Sequence, residues 1–179
     1  MWAEHVARIA APLVAAGYEV QLWADVLRTD PEAARALPDG TVPVSWNYEA
    51  PGGADLPGEV TALLARLGLE PSAFRGFAAN VAPLAAAGLR FRVAPGTSSW
   101  NSLVGRIDNA TANIRDAVDV ALAHGVDGIC VTDWGDNGHI QPPPVSWPAL
   151  AYGGAVAWCR EANWDLDLAR VLDTHVFAD

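Results

Sequence analysis

Two rhythms of apolar and polar positions alternate along the chain. Residues 3–16 place Val6, Ile9, Ala10, Leu13 and Val14 at helical spacing, and Gly17 stops that helix. Four short runs read as strands: Tyr18–Trp23 (YEVQLW), Thr41–Trp46 (TVPVSW), Leu89–Ala94 (LRFRVA) and Gly128–Asp133 (GICVTD). The last is nearly all apolar, the pattern of a strand buried on both faces. Pro43 fits its strand only near the start or where no ladder bond is needed. Between the strands the helical rhythm returns. Pro31–Leu37 reads as a short helix capped by Asp30, with Pro31 at its first position. Residues 59–67 follow a loop punctuated by Pro51, Gly52, Gly53, Pro57 and Gly58. Phe74–Ala87 is helical, broken or kinked at Pro83 and ended by Gly88. Asp108–Ala123 is the cleanest helix, with Ile114, Val118, Ala121 and Leu122 on one face and Gly125 beyond. Leu150–Arg160 and Asp165–Val171 close the chain as helices.

Strands separated by helices imply βα units and a parallel sheet, hence an α/β fold. No GxGxxG follows a strand and no GxxxxGK[ST] occurs, so the nucleotide-binding versions of that class are disfavoured. The remaining reading is part of a (β/α) barrel, whose chemistry sits on the loops after the strands. The length, 179 residues, suits one domain, since domains commonly take about 100–200.

Charge narrows the partners. The 21 acidic residues outweigh 11 basic ones, all arginine, for a net charge of −10. A chain so acidic, with no basic run, is a poor match for a phosphate backbone or an anionic membrane surface. No apolar run approaches the roughly 18–20 residues of a membrane span. Cys130 and Cys159 give neither a disulfide framework nor a zinc spacing, and no His/Asp/Glu cluster has metal-ligand spacing, so no metal or cofactor is proposed.

Tryptophan is the outlier, with eight in the chain. Trp23, Trp46 and Trp134 fall at or just past the ends of predicted strands, and Trp100 lies in the loop after another. In a parallel barrel all four reach the same rim. Any one of them suits a core position equally well, but core packing at four such places would favour Leu, Ile or Val. Indole faces with a few carboxylates suit a sugar, whose C–H face packs on the ring while acids and amides take its hydroxyls. Asp25, Asp133 and Asp136 are the acids at this rim. Asp136 suits a sugar hydroxyl, Asp25 suits either a ligand or solvent, and Asp133 suits a structural role, bonding neighbouring backbone or Asn137. His139 suits loop ordering or a substrate hydroxyl, with ordering favoured. His5, His124 and His175 read as surface or cap residues, and Asn80 as structural.

The most informative stretches are Pro95-Gly96-Thr97-Ser98-Ser99-Trp100-Asn101-Ser102, with Gly105, Arg106 and Asn109 after it, and Thr132-Asp133-Trp134-Gly135-Asp136-Asn137-Gly138-His139. In this order and spacing they resemble the family 20 glycoside hydrolases, the β-N-acetylhexosaminidases. Leu22-Trp23-Ala24-Asp25-Val26, Val44-Ser45-Trp46-Asn47-Tyr48 and Tyr152-Gly153-Gly154-Ala155 agree with it. The resemblance implies strands 5 to 8 of a (β/α)8 barrel, over residues 1–179 as one C-terminal half of the catalytic domain. It also implies retaining hydrolysis of a terminal N-acetylhexosamine, in which the sugar's own acetamido oxygen attacks the anomeric carbon. Trp23, Trp46 and Trp134 would wall the sugar pocket, with Asp136 on the sugar's hydroxyls. Where the family often has Tyr-x-Asp on strand 7, this chain has Trp100-Asn101-Ser102, and Asn101 is the candidate N–H donor in its place. The family's catalytic Asp-Glu pair is absent, since no Asp-Glu or Glu-Asp dipeptide occurs in the chain.

A complete barrel takes about 250 residues. The expectation is therefore an incomplete barrel that leans on an upstream half-barrel segment or on self-association, with an N-acetylhexosamine-containing glycan as partner. Two other readings stay open: a non-catalytic carbohydrate-binding relic, and another barrel glycosidase with Asp133 or Asp136 as its acid.

Overall fold

In the computed structural model of the chain, residues 1–52, 58–66, 76–136 and 138–178 are described. The predicted helix start at Phe74, the predicted helix end at Leu67, the loop residues Gly53 and Pro57, and Asn137 lie outside them.

The fold is mixed α/β. Helix α1 (Trp2–Ala15) leads into strand β1 (Val20–Trp23), a short helix α2 (Asp25–Thr29), a 3₁₀ segment (Pro31–Ala36) and strand β2 (Thr41–Trp46). Helices α3 (Gly58–Arg66) and α4 (Phe77–Ala86) precede strand β3 (Arg92–Ala94) and the long helix α5 (Ile107–Ala123). After a 3₁₀ turn at Pro143–Ser146 come α6 (Trp147–Trp158), α7 (Arg160–Asn163), α8 (Leu168–Leu172) and a π-helical turn at Asp173–Phe177.

The named strands form one parallel sheet in the order β1-β2-β3. The predicted fourth strand is present only as two parallel bridges, Val93 to Ile129 and Gly96 to Thr132. Two prolines explain both the short β3 and this broken fourth strand. The bonds from Asn47 N to Ala94 O and from Thr97 N to Thr132 O set the ladder's phase. In that phase Pro43 should donate to Arg90 O, and Pro95 to Cys130 O. Neither proline has an N–H to give. So β3 starts at Arg92, three residues after its predicted start, and the fourth segment bonds on either side of the missing rung, through Cys130 N to Val93 O and Thr132 N to Pro95 O.

One sheet face is covered by helices. Leu22, Ala24, Phe91, Val93 and Ile129 pack there against Phe77, Val81 and Leu84 of α4 and Ala117, Val120 and Ala121 of α5. A second cluster joins α5 to α6 through Ala110, Ile114, Val118, Ala149, Tyr152 and Val156. By the pleat's alternation the other face carries Gln21, Trp23, Val42, Val44, Trp46, Arg92, Ala94, Cys130 and Thr132. This face is open at its margins: Gln21, Trp23 and Cys130 are exposed, while Val42 and Val44 on the central strand are buried. The fourth segment is thus not buried on both faces, as its apolar sequence predicted: it is bridged to β3 on one side, no described strand pairs with its other edge, and Cys130 on its inner side is exposed. Two helices also differ from expectation. Of the apolar stripe on α1 only Ala10 is buried, with Ile9 and Leu13 exposed, and Leu122 of α5 is exposed.

Candidate functional site

A cavity of about 270 Å³ opens at the carboxyl end of the parallel strands, lined by Trp23, Asp25, Trp46, Tyr48, Trp134 and Asp136. The parallel sheet explains the gathering. Trp23 ends β1 and Trp46 ends β2, so both indoles leave the sheet at one end. Asp25 follows Trp23 by two residues and opens α2. Trp134 and Asp136 follow the last bridge, at Thr132.

The aromatic wall is interlocked. Trp46 and Tyr48 stack with centroids 5.2 Å apart and planes at 17°. Trp23 meets Trp134 at 5.8 Å and 51°. The two pairs are joined by the Tyr48 hydroxyl, which accepts the Trp134 Nε1–H at 2.9 Å. Burial pushes the Tyr48 phenol above its ordinary value, ahead of the opposing bonds from Thr132 and Trp134, so it stays neutral. The Tyr48 hydroxyl thus sits between Trp134 and Thr132 on the cavity wall.

The polar wall consists of carboxylates. Both oxygens of Asp25 accept the Trp46 Nε1–H, at 3.0 and 3.1 Å, and Oδ1 also faces Arg28 at 3.3 Å. Asp136 is exposed at the pocket rim.

Behind the pocket the two informative sequence blocks bind each other. Asp133 Oδ1 accepts hydroxyl bonds from Thr97 and Ser99, and its Oδ2 accepts one from Ser146, each at 2.7 Å. Burial works against ionising Asp133, but the three hydroxyl bonds together outweigh it and hold the carboxyl below its ordinary value. His139 Nε2 lies 3.8 Å from Asp133 Oδ2 and 3.1 Å from Gln141 Nε2, so it orders the loop after Trp134. Asp133 is therefore structural, bonded to three hydroxyls rather than to backbone.

Helix α5 pins the remaining loops. Asn109 donates to Tyr48 O and Ser98 Oγ, both at 2.7 Å, and accepts from Ala50 N. One turn later Asn113 accepts from Gly96 N and donates to Glu49 O. Arg106 clasps the Glu49 carboxylate with two bonds, at 2.9 and 2.6 Å. These contacts hold Ser98 at a φ of 54°, a left-handed conformation costly for a residue with a Cβ.

Trp23, Trp46, Trp134, Asp25 and Asp136 are thus brought together, and Trp100, Asn101 and His139 are not part of the lining. Trp100 stands behind Tyr48, edge-on at 5.0 Å and 85°. Asn101 sits exposed in the turn beside it at a φ of 57°. The residue that sequence reasoning missed is Tyr48. Its signal was available, two positions beyond Trp46 and on the same rim. Among the described residues no group of three His, Cys, Asp or Glu is placed to hold a metal ion. Compared with known proteins, the chain matches no family model and no curated sequence.

Proposed function

We propose that this chain is the sugar-pocket portion of a β-N-acetylhexosaminidase-type barrel, corresponding to strands 5 to 8, and that it binds a terminal N-acetylhexosamine without hydrolysing it alone. The observation that supports this reading most is the single cavity that holds Trp23, Trp46, Trp134 and Asp136 at the carboxyl end of a parallel sheet. The exposed ring of Trp23 and the half-buried ring of Trp134 offer apolar surface for a sugar's C–H groups. Asp136 accepts its hydroxyls, and the Tyr48 hydroxyl, rather than Asn101, is the neutral polar group on the wall.

Catalysis is assigned elsewhere because Asp25 and Asp133 are committed to protein contacts. A general acid needs a raised pKa and reach to the leaving oxygen. Asp133 has the opposite shift and spends both oxygens on hydroxyls. That geometry argues against a rival glycosidase centred on Asp133 and favours, as second reading, a carbohydrate-binding protein that never cleaves. With no Asp-Glu pair in the sequence, leaving-group protonation and acetamido orientation would have to come from a partner segment. The test is an assay of the purified chain on a chromogenic N-acetylglucosaminide. The rate should match buffer, and robust turnover abolished by Asp136→Ala would overturn the reading.

A further inference from the structure

Asp25 spends its carboxylate on protein. Its two oxygens straddle the Trp46 indole N–H at 3.0 and 3.1 Å. Arg28, one turn further along α2, pairs with Asp25 Oδ1 at 3.3 Å. The same guanidinium lies 4.8 Å from the Trp46 ring centroid and donates to the Trp46 carbonyl at 3.5 Å. One Asp–Arg pair therefore holds this indole by its N–H, its ring and its backbone.

The torsion that sets an aromatic ring's plane is broad and soft, so rotamer preference alone does not fix it. A charge-assisted bond to the ring N–H does. A flipped Trp46 would turn a C–H toward the carboxylate and forfeit that bond. The constraint then passes along the wall, because Trp46 stacks on Tyr48 and Tyr48 receives the Trp134 N–H. Arg28 needs the pair as well: its side chain is only 13% exposed, and burial pulls its guanidinium below the ordinary value, an effect that Asp25 opposes.

The geometry points to Asp25 as a positioning residue, which sets the plane of Trp46 and through it the shape of the pocket, and which leaves the ligand's hydroxyls to Asp136. For the identity of the ligand this rests on the sugar-pocket reading. For the orientation of Trp46 it stands on its own.

The experiment follows the indole N–H signals of the full 179-residue chain, labelled with ¹⁵N-tryptophan, with Trp46 assigned through Trp46→Phe. N-acetylglucosamine is then titrated into each variant. Asp25→Asn keeps an acceptor and should retain both a shifted Trp46 signal and most of the binding. Asp25→Ala should displace or broaden the Trp46 signal and weaken binding about tenfold, the value of one lost charge-assisted bond, with Asp136 untouched. Asp25→Ala combined with Arg28→Met removes the buried unpaired cation and should show the same displaced signal in a folded chain. An unchanged Trp46 signal in Asp25→Ala would overturn the assignment. So would loss of binding in Asp25→Asn with the Trp46 signal in place, since that identifies a direct ligand contact. If the unaltered chain fails to bind the sugar, the sugar reading falls, and the Trp46 signal still decides the role of Asp25.

Discussion

The rings of Trp23 and Trp134 touch, with centroids 5.8 Å apart, although they arise from opposite margins of the sheet. Three strand spacings separate those margins, about 14 Å in a flat sheet, and side chains stand roughly perpendicular to it. Contact therefore requires the sheet to curl toward its open face. The other end of that face is spanned as well. Arg92 of β3 meets Glu19, just before β1, at 2.8 Å and Asp127, just before the fourth segment, at 3.1 Å. Asp127 is held well below the usual carboxylate range by its bonds from Arg92 and Arg90. Aromatic contact at the rim and ion pairs at the base thus bridge one concave surface.

The clamp on Asp133 gives the first prediction. Asp133→Ala removes the shared acceptor of the Thr97, Ser99 and Ser146 hydroxyls, all in buried residues, and leaves them mainly one another, at 2.8 Å. Removing one acceptor from such a group typically costs about 1–3 kcal/mol. Thermal unfolding should show a loss in that range or above for Asp133→Ala and a smaller one for Asp133→Asn. Equal stability of Asp133→Ala and the unaltered chain would show that the two sequence blocks are not tied here.

The same carboxylate sets a pH dependence. Its folded pKa lies below the ordinary value. Its stabilisation is thus fully present above the unfolded value, about 3.9, and is lost as pH falls through the lower folded value. The unfolding midpoint should drop on the acid side of pH 4, and Asp133→Asn should flatten that limb while leaving the profile above pH 5 parallel. An identical acid limb in Asp133→Asn would contradict this.

Gly96 is required by the aromatic stack rather than by its backbone angles. A Cβ there would sit 2.5 Å from Trp100 Cη2 and 2.7 Å from Tyr48 Cδ1, closer than real contacts allow. Gly96→Ala should cost about 1–3 kcal/mol, the usual range for overpacking, and should change near-ultraviolet circular dichroism by displacing Tyr48. Gly88→Ala is the control: no atom stands within 4 Å of its Cβ, though its φ of +70° exacts a backbone cost. A Gly96→Ala spectrum that matches the unaltered chain would rule out the close packing.

The sheet margins predict association. The fourth segment carries exposed Cys130, and near the β1 margin Ile9, Leu13 and Tyr18 are exposed. Unpaired edges and uncovered apolar surface invite pairing with another chain. Sedimentation at micromolar concentration should show species larger than a monomer. A stable, cooperative monomer would mean that these margins are satisfied within one chain.

Much of this arrangement was legible in the sequence. Strand β2 falls on the predicted Thr41–Trp46, and α5 begins one residue before its predicted start at Asp108, because both have clean periodicity and clear stops. The rim position of Trp23, Trp46 and Trp134 followed from parallel order alone. The broken fourth strand was not foreseen: Pro95 lies just past the neighbouring strand, and its missing N–H acts only once the register is known. Tyr48 was passed over because hydrogen bonds to Asn109 and Trp134 bring it to the pocket, and those partners lie 61 and 86 positions away. Asp25 was legible as a rim acid, but its pairing with the Trp46 N–H depends on side-chain orientation that no spacing reveals.

The central claim is that the cavity bounded by Trp23, Trp134 and Asp136 is a sugar site, and a fluorescence titration with N-acetylglucosamine tests it most directly. The unaltered chain should give a saturable change that Trp134→Ala abolishes, while Trp147→Ala and Trp164→Ala leave it intact. Trp147 stacks on Phe177, and Trp164 lies under Arg160 and Arg115, both away from the cavity. No saturable response, or equal loss in all three folded variants, would contradict the account.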